Sequence, residues 1–483
     1  MKHIDKIVII ILIWFLPACT DKFEEINDNP NFPQEVGPDL ILTNILNETA
    51  SIVTFEAVRR TNGLAQYTTR FFWNNIERYD FESQINYWKQ LYEIIRDIKN
   101  LQGFAEAANN DGYIGIALIM KSYVASQLTD LWGDVPYFQA ATAKTEENFT
   151  PVYNAQEEIY MAPGGILDNL RQANTILSNN NNTISGDIFY QGDLNKWRKF
   201  ANSLRLRYLL RISSKVDVST EMQQIIDAEP VFESNDDNAL LPYLADAPNQ
   251  FPLHTFREGD VAFFRLSDTM EGILKQFNDP RLSLFFEPTE DSRKNGSPAY
   301  FGMPVGLLSE TQSDLNIVLT NISRLGKYFT EPDQADAIIM TFADLQFILA
   351  EATYKNLIGG DEGDVQMFYE AGIKSTFSYY GLTLPAGYLT QPGVSFEVSN
   401  ALEQILTQRW LANITVAQEG WIEFRRTGLP ALPLPIDNTN SLEVPSRFLY
   451  PEEEQLLNPE HLQQAVESMG GTDDINAAVW WER

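Results

Sequence analysis

The sequence predicts a fold dominated by α-helices, in which helical pairs alternate with long loops. Apolar residues recur at three- and four-residue spacing through many separate segments, as on one face of a helix. Clusters of Gly, Pro, Asn and Asp separate those segments and indicate turns. The chain has 483 residues, 44% of them hydrophobic, which is enough for a large buried core. We therefore expect one helical body with elaborated loops.

The predicted helices each place apolar residues on one face. Their expected bounds are 40–55, 85–101, 113–131, 155–177, 196–212, 268–277, 341–354, 364–379 and 398–413. Segment 196–212 has the clearest apolar stripe, and Arg205, Arg207 and Arg211 mostly face away from it. Because no Gly-rich loop precedes this helix and the chain is acidic, we interpret the arginines as salt-bridge partners and not as a phosphate site.

The long intervals between the helices are the expected functional regions. Residues 137–154, 229–266 and 279–336 are rich in Pro, Asn, Asp, Gly and aromatic residues, and loops of this length usually carry function. Ala350-Glu351-Ala352 resembles the small-residue contact of a tetratricopeptide helix, which lets two helices pack closely. Since no strict period is visible, the sequence predicts degenerate tetratricopeptide-like helical pairs.

Composition excludes several classes of function. The net charge of −31 argues against nucleic acid as a partner and against electrostatic adhesion to anionic lipid. One Cys and three His leave little for thiol, zinc or Ser-His-Asp chemistry, and no nucleotide-binding motif occurs. We expect no cofactor, no metal and no catalytic residues. A glycosidase pair of carboxylates stays open, because the chain has 66 Asp and Glu residues.

The N-terminus has the pattern of a secretion signal. Lys2 and Lys6 precede an apolar run, 7–16, that is too short for a permanent membrane span. The run ends at Leu16-Pro17-Ala18-Cys19, which resembles a bacterial lipobox and contains the single Cys of the chain. Asn, Asp and Pro follow in a segment that favours turns. The sequence predicts a signal peptide, 1–18, a tether, 19–38, and one domain, 39–483.

Residues 128–138, LTDLWGDVPYF, form a helix end in which Gly133 supplies positive φ and Pro136 prevents continuation. This motif resembles a helix end of the SusD/RagB family of outer-membrane lipoproteins. Further blocks resemble the same family in order: Gly192-Asp193, Trp197, Asn202-Ser203-Leu204 and Arg207; 278–282, NDPRL; Gln408-Arg409-Trp410; Glu419, Trp421 and 424–428; Pro445-Ser446-Arg447, Tyr450-Pro451, Asn458 and 479–481. The resemblance covers essentially the whole chain.

The resemblance implies a SusD-like α superhelix and a function in nutrient capture. It implies cleavage before Cys19, lipidation of that residue, and a position in the outer membrane facing the cell exterior. The expected partner is a SusC-like TonB-dependent transporter, which would receive the bound nutrient. The expected ligand is an oligosaccharide, with an oligopeptide as the alternative and a surface glycoside-acting enzyme as a more distant one.

The best candidate for a ligand surface is a run of aromatic and polar residues between early helices. Aromatic faces bind sugar C–H surfaces, and amide groups bind hydroxyls. Three consecutive aromatics cannot all face inward from one helix, so we expect at least one to be exposed, with core filling by Phe72 or Trp73 as the alternative. The candidates are Phe71, Phe72, Trp73, Asn74, Arg78 and Tyr79. Weaker candidates are Tyr243, Phe251, His254, Phe256 and 298–301.

Other charged and aromatic residues are interpreted as scaffold. Arg425 and Arg426 are expected to hold a helix end against the body. Trp480 and Trp481 are expected to fill core. Segment 278–281, NDPR, predicts an Asx-type turn whose arginine is ready for a bidentate contact.

Overall fold

The structure of the protein is a computed structural model that describes residues 37–80, 82–256, 258–440 and 444–483. The predicted signal peptide, Cys19 and nearly all of the predicted tether lie outside the described residues. Within the described ranges, no helix combines the length and the apolar character needed to cross a membrane.

Long helices form most of the described chain. They are α1 (Pro38–Glu56), α2 (Ile85–Ala108), α3 (Asp111–Trp132), α4 (Ile166–Ser178), α5 (Leu194–Ile212), α6 (Ser219–Ala228), α7 (Asp268–Gln276), α8 (Phe342–Tyr354), α9 (Glu362–Tyr379), α10 (Ala401–Ala412), α11 (Glu419–Thr427) and α12 (Pro459–Ser468). Shorter α-helical segments are Asn62–Leu64, Ala143–Glu146, Gln156–Met161, Pro252–Thr255, Glu258–Val261, Arg281–Phe285, Glu290–Lys294, Ser309–Asp314, Lys327–Thr330 and Glu452–Leu457. A π-helical segment, Ala57–Thr61, follows α1, and 3-10 turns occur at Asn235–Asp237, Tyr388–Thr390, Val398–Asn400 and Asn413–Thr415.

The helices pack in sequence, as paired helical repeats do. Helices α1 to α5 form a row in which each packs on the next, and α8, α9 and α10 form a second group. Helix α5 also packs on α8 and joins the two groups. One hydrophobic cluster extends from Leu42 to Trp481. The α-dominated fold predicted from the sequence is confirmed.

One predicted helix is wrong. The single helix expected over 155–177 is two helices, Gln156–Met161 and α4, because the chain turns at Ala162-Pro163-Gly164-Gly165. Pro163 cannot donate a helical hydrogen bond, and Gly164 takes a φ of +76°. The apolar spacing on both sides of this turn is helical, so periodicity alone did not show the break.

The strands are short and occur in pairs within the described residues. They are β1 (Thr68–Arg70), β2 (Val135–Pro136), β3 (Tyr153–Asn154), β4 (Ala239–Pro242), β5 (Phe264–Leu266) and β6 (Asp336–Met340). The antiparallel pairs are β1–β5, β2–β3 and β4–β6. Each pair joins segments that are far apart in the chain or flank a long loop, so the strands position loops on the helical body.

The helix-end motif at residues 128–138 lies at the centre of the body. Helix α3 ends at Trp132, and Gly133 follows with a φ of +87°, as predicted. The Trp132 indole donates to the carbonyl oxygen of Leu449 at 3.0 Å. Asp130, two residues before Trp132, is fully buried and accepts a hydrogen bond from the Trp481 indole at 2.8 Å. The motif therefore holds the C-terminal segment against α3.

Ion pairs connect α3, α5, α8 and α11 inside the core. Arg211 donates to Asp130 at 2.5 Å and to Glu419. Arg207 donates through Nε and Nη2 to Asp344 Oδ2 at 3.0 and 2.8 Å. All these side chains are buried. The salt-bridge interpretation of the arginines is confirmed, but Arg207 and Arg211 face the interior and not the surface, because their partners lie on helices that cover α5 from two sides.

The ion pairs continue through α10 and α11. Arg409 Nε donates to Asp344 Oδ1 at 2.8 Å, and Nη1 donates to Glu423 Oε2 at 2.6 Å. Arg426 donates to both oxygens of Glu351 at 2.7 and 2.6 Å. Burial would raise the pKa of Glu423, but the surrounding arginines outweigh it and hold that pKa well below its usual range. We call these residues the buried charge network: Asp130, Arg207, Arg211, Asp344, Glu351, Arg409, Glu419, Glu423 and Arg426.

The remaining scaffold interpretations agree with the contacts. Arg425 forms an ion pair with Glu482 and lies between the rings of Trp421 and Trp481, with its guanidinium carbon 4.6 and 4.8 Å from their centroids. Arg281 is buried and donates to Asp279 Oδ2 at 2.6 Å, which is the bidentate contact expected of the 278–281 turn. These arginines lock chain ends and turns to the body.

Candidate functional site

The predicted ligand residues lie on a loop that begins where β1 ends. Strand β1 pairs with β5, and the pairing continues one residue further, where the Phe71 amide donates to the Phe263 carbonyl oxygen at 2.9 Å. The aromatic run therefore lies between helices α1 and α2, as expected from the sequence, and it follows a strand. The π-helical turn and the short helix after α1 end before β1, and the strand carries the loop away from the helical body.

Two of the predicted aromatic residues are exposed and share a supporting ring. The Phe72 ring meets the Phe263 ring edge-on at 4.9 Å, and the Trp73 ring meets it at 5.3 Å. Phe72 is 40% exposed and Trp73 is 64% exposed. Trp73 has a φ of +54°, an uncommon value for a residue with a side chain. We call Phe72, Trp73 and Phe263 the aromatic platform.

Phe71 supports the platform from below. Its ring contacts Phe72 edge-on at 4.8 Å and packs on a small hydrophobic cluster that is separate from the main core, formed by Met303, Leu307 and Ile322. Gln312 donates to the Phe71 carbonyl oxygen at 2.8 Å. Residues of the 303–322 segment thus fix the position of the loop backbone.

The polar candidates hold the loop to its neighbours. Asn74 is buried and donates to the Leu307 carbonyl oxygen at 2.6 Å. Arg78 Nε donates to the carbonyl oxygen of Asp437 at 3.1 Å. Tyr79 is buried, and burial raises the pKa of its hydroxyl well above the ordinary value. Of the candidates, Phe72 and Trp73 present the most surface to solvent.

A cleft of about 610 Å³ adjoins the platform. Ala262, the residue before Phe263, lies in its wall together with His254 and Phe256, which were weaker candidates. The full lining is Leu253, His254, Phe256, Val261, Ala262, Glu287, Arg324, Leu325, Lys327, Thr330 and Glu331. The cleft thus brings residues of the predicted loops 229–266 and 279–336 to one place.

The other weaker candidates divide between core and surface. Tyr243 and Phe251 are buried and contact each other at 5.4 Å. Phe301 is exposed, and the Lys275 ammonium lies 4.9 Å from its ring centroid. The predicted aromatic surface at 298–301 therefore exists, whereas Tyr243 and Phe251 belong to the core.

Positive charge lies behind the cleft wall. Arg265 is buried, and its Nη1 donates to the carbonyl oxygens of Ala262 and Phe264. Burial and the nearby Arg324 lower the pKa of Arg265 to about 10, which leaves the guanidinium protonated at neutral pH. Arg324 itself pairs with Glu287 at 2.8 Å. The arrangement contains rings, cations and backbone carbonyls, which suit binding of a polar ligand with flat apolar faces.

Sequence reasoning missed Phe263 and the arginines beside it. The segment 264–266, Phe-Arg-Leu, has the alternation of a short strand, but three residues are too few to distinguish a strand from a loop. Among the described residues, no group of His, Cys, Asp and Glu is placed to hold a metal ion.

Comparison with known proteins gives one family. The sequence profile of a SusD-like family, described as starch-binding and associating with the outer membrane, matches residues 30–451. A solved SusD homologue from Bacteroides fragilis NCTC 9343 is 27% identical, with a TM-score of 0.79, and the match covers 93% of this chain and 100% of that chain. A solved chitin-binding protein is 26% identical, with a TM-score of 0.79 and coverage of 92% and 100%.

A more distant structure shares the fold alone. A chitin-binding SusD homologue from Flavobacterium johnsoniae is 22% identical, with a TM-score of 0.77 and coverage of 91% of this chain and 98% of that chain. A comparison with curated proteins gives no match. Because the profile match covers most of the chain and the fold agrees over nearly its whole length, this protein belongs to the SusD-like family of outer-membrane-associated binding proteins.

Proposed function

We propose that this protein captures an oligosaccharide at the cell surface and delivers it to a SusC-like TonB-dependent transporter. The observation that carries the proposal is the aromatic platform, in which Phe72 and Trp73 remain exposed while a third ring, Phe263, supports both. A sugar ring stacked on such a surface covers apolar area without burying its hydroxyl groups. The chitin-binding activity of one similar protein supports a glycan ligand.

The magnitude of the proposed binding is modest. Full burial of an aromatic side chain contributes about 1.5–3 kcal/mol. Stacking on two rings, with hydrogen bonds from the adjacent cleft, supports capture in the millimolar to micromolar range, about −4 to −8 kcal/mol. This affinity suits a protein that must release its ligand to a partner. No catalytic step is part of the proposal.

Attachment to the outer membrane is proposed through Cys19. Lipidation there would place the body outside the bilayer, and more than one acyl chain is needed for stable anchoring. Mass spectrometry of the protein from membrane fractions would detect the modified N-terminal residue. A Cys19→Ala variant should leave the membrane fraction, and its retention there would contradict the lipid anchor.

The platform is tested by titrating the protein from Thr20 onward with chitin and starch oligosaccharides and with a peptide library. Trp73→Ala should weaken glycan binding about 10- to 100-fold, from the lost stacking area. Phe149→Ala is the matched control, because Phe149 is 75% exposed and lines a cavity that shares no residue with the cleft beside the platform. Equal affinity of Trp73→Ala and the original protein would remove the platform from the site.

The same titration decides between the ligand classes. Binding of peptides and not of glycans would favour the oligopeptide alternative. If the protein hydrolysed model glycosides at enzymatic rates, it would act as an enzyme and not only as a binding protein. Co-purification of the lipidated protein with a TonB-dependent barrel from outer membranes would test the proposed partner.

A further inference from the structure

A second cleft lies at the other end of α2. Its volume is about 840 Å³, and it lies between the C-terminal half of α2 and residues 141–145. The start of α2 lies on the platform side, where Asn86 and Phe55 line one cavity and Phe55 contacts Phe256 at 5.6 Å. Because a helix rises 1.5 Å per residue, the distance along α2 from Asn86 to Gly103 is about 25 Å. The two clefts are therefore separate.

Cations dominate the wall of this second cleft. Arg96, Lys99 and Lys144 line it, and Glu106 is the one carboxylate among the lining residues. Arg96 is paired with Asp97 at 3.1 Å, so the lysines are the cations left for a ligand. Lys121 stands behind the wall on α3, with its ammonium 4.8 Å from the centroid of the Tyr137 ring. Burial, and to a smaller extent the charge of Lys99, lower the pKa of Lys121.

The lysines of the cleft lack carboxylate partners. Within the part of the chain that the structure describes, Lys99, Lys121 and Lys144 form no ion pair. The chain has 66 acidic and 35 basic residues, so carboxylates are abundant enough to pair every cation. Like charges held together oppose folding, and a bound anion removes that cost. The unpaired cluster therefore points to an anionic ligand.

The other lining residues indicate which class of anionic ligand the cleft binds. Phe104 is 45% exposed and presents its ring in the cleft wall. The side-chain amides of Asn100 and Gln102 line the same cleft and form no hydrogen bond within the described residues. A charged sugar needs three kinds of contact: a ring on which it stacks, free amides that bind its hydroxyl groups, and cations that bind its acidic group.

We infer that this cleft binds an acidic oligosaccharide, one whose sugar residues carry carboxylate or sulfate groups. The cleft is concave and lined by a ring and amides, which suits a discrete sugar better than a membrane surface. The protein thus holds a charged-sugar site that is distinct from the platform proposed above for glycan capture.

Calorimetric titration of the protein from Thr20 onward with trigalacturonate and with a chondroitin sulfate disaccharide tests the inference. Maltotriose is the neutral probe. We expect at least one acidic sugar to bind with an affinity that falls as salt rises. The double variant Lys99→Gln with Lys144→Gln should lower that affinity about tenfold or more, and Phe104→Ala should lower it several-fold.

The controls separate this site from the platform. Lys374→Gln removes an exposed lysine that pairs with Glu370 on α9, and it should bind like the original protein. Trp73→Ala should also retain acidic-sugar binding, so failure of the platform would leave this result unchanged. Absence of binding by both acidic sugars, or unchanged affinity in the double lysine variant, overturns the inference. Lysine-dependent binding of phosphatidylglycerol vesicles without sugar binding also overturns it and assigns the cleft to the membrane.

Discussion

The buried charge network and the aromatic platform use similar residue types in opposite ways. In the network, arginines and carboxylates are withdrawn from water and neutralise one another across α3, α5, α8, α10 and α11. In the platform, Phe72 and Trp73 are exposed to water, and both rings pack against the ring of Phe263. The network joins helices, and the platform ends a strand pair.

The comparison separates residues that hold the fold together from residues that are available to bind a ligand. Among the described residues, Asp130 pairs with Arg211 alone, and every other member of the network has two or more charged partners. Removing one member therefore leaves buried charges without full compensation. The exposed Trp73 ring contacts one supporting ring, that of Phe263, so Trp73 can be changed without disturbing the body. Tryptophan shows the same contrast: Trp132 and Trp481 donate buried hydrogen bonds, whereas the Trp73 ring lies at the surface.

The largest expected effect comes from breaking the network. Arg211→Ala should destabilise the protein by about 3–5 kcal/mol, because Asp130 would remain buried without its cation and Glu419 would lose the nearer of its two arginines. Lys374→Ala, which breaks an exposed pair with Glu370, should cost no more than about 0.5 kcal/mol. Urea unfolding followed by circular dichroism measures both. A similar midpoint for the two variants would contradict the structural role assigned to the network.

A second prediction concerns pH and the buried turn at residues 278–281. Burial would raise the pKa of Asp279, but Arg281 and the Tyr388 hydroxyl outweigh it and leave that pKa below its ordinary value. A depressed carboxyl pKa contributes stability above the unfolded pKa, near 4, and this contribution is lost as pH falls through the folded value. Asp279→Asn should therefore cost about 3 kcal/mol at neutral pH.

The difference between Asp279→Asn and the original protein should shrink as pH falls below about 4, because the original carboxylate then becomes protonated. Unfolding free energies at neutral pH, at pH near 5 and at pH near 3 give the comparison. A difference that stays constant over this range would show that Asp279 contributes through shape and not through charge.

The smallest effect on stability is expected at the platform. Trp73→Ala should change the unfolding free energy by no more than about 0.5 kcal/mol, because the ring is mostly exposed. Trp132→Ala removes a buried ring and should cost about 3–5 kcal/mol. Thermal unfolding of both variants checks the contrast. If Trp73→Ala were as unstable as Trp132→Ala, any loss of ligand binding in it would reflect the fold and not the site.

Most of the helical fold was predictable because its signals are local. The three-four apolar spacing located α1, α3, α5 and α8 to within a few residues. The end of α3 followed from Gly133 and Pro136. The break before α4 was missed, since the apolar period continues on both sides of Pro163 and Gly164.

The candidate site was only partly predictable. The aromatic run at residues 71–73 was visible as composition, but its position at the end of a strand was not. Phe263 contacts Trp73 from a segment almost two hundred residues away in the chain, and no periodicity links such residues. Lys99 and Lys144 of the second cleft come from α2 and the short helix Ala143–Glu146, and Lys121 behind the cleft comes from α3, so they also appear unrelated in sequence.

Composition and local pattern are enough to show that this chain is helical, acidic and poor in cysteine and histidine, and its motifs resemble one family throughout. Those properties depend on residues near one another in the chain or on composition. The burial of Arg207 and Arg211 and the contact of Trp73 with Phe263 are visible in the three-dimensional structure alone. The same is true of Lys99 and Lys144, which line one cleft of an acidic protein without ion pairs among the described residues. Burial and charge pairing depend on which distant segments come into contact, and that is settled by packing of the whole chain.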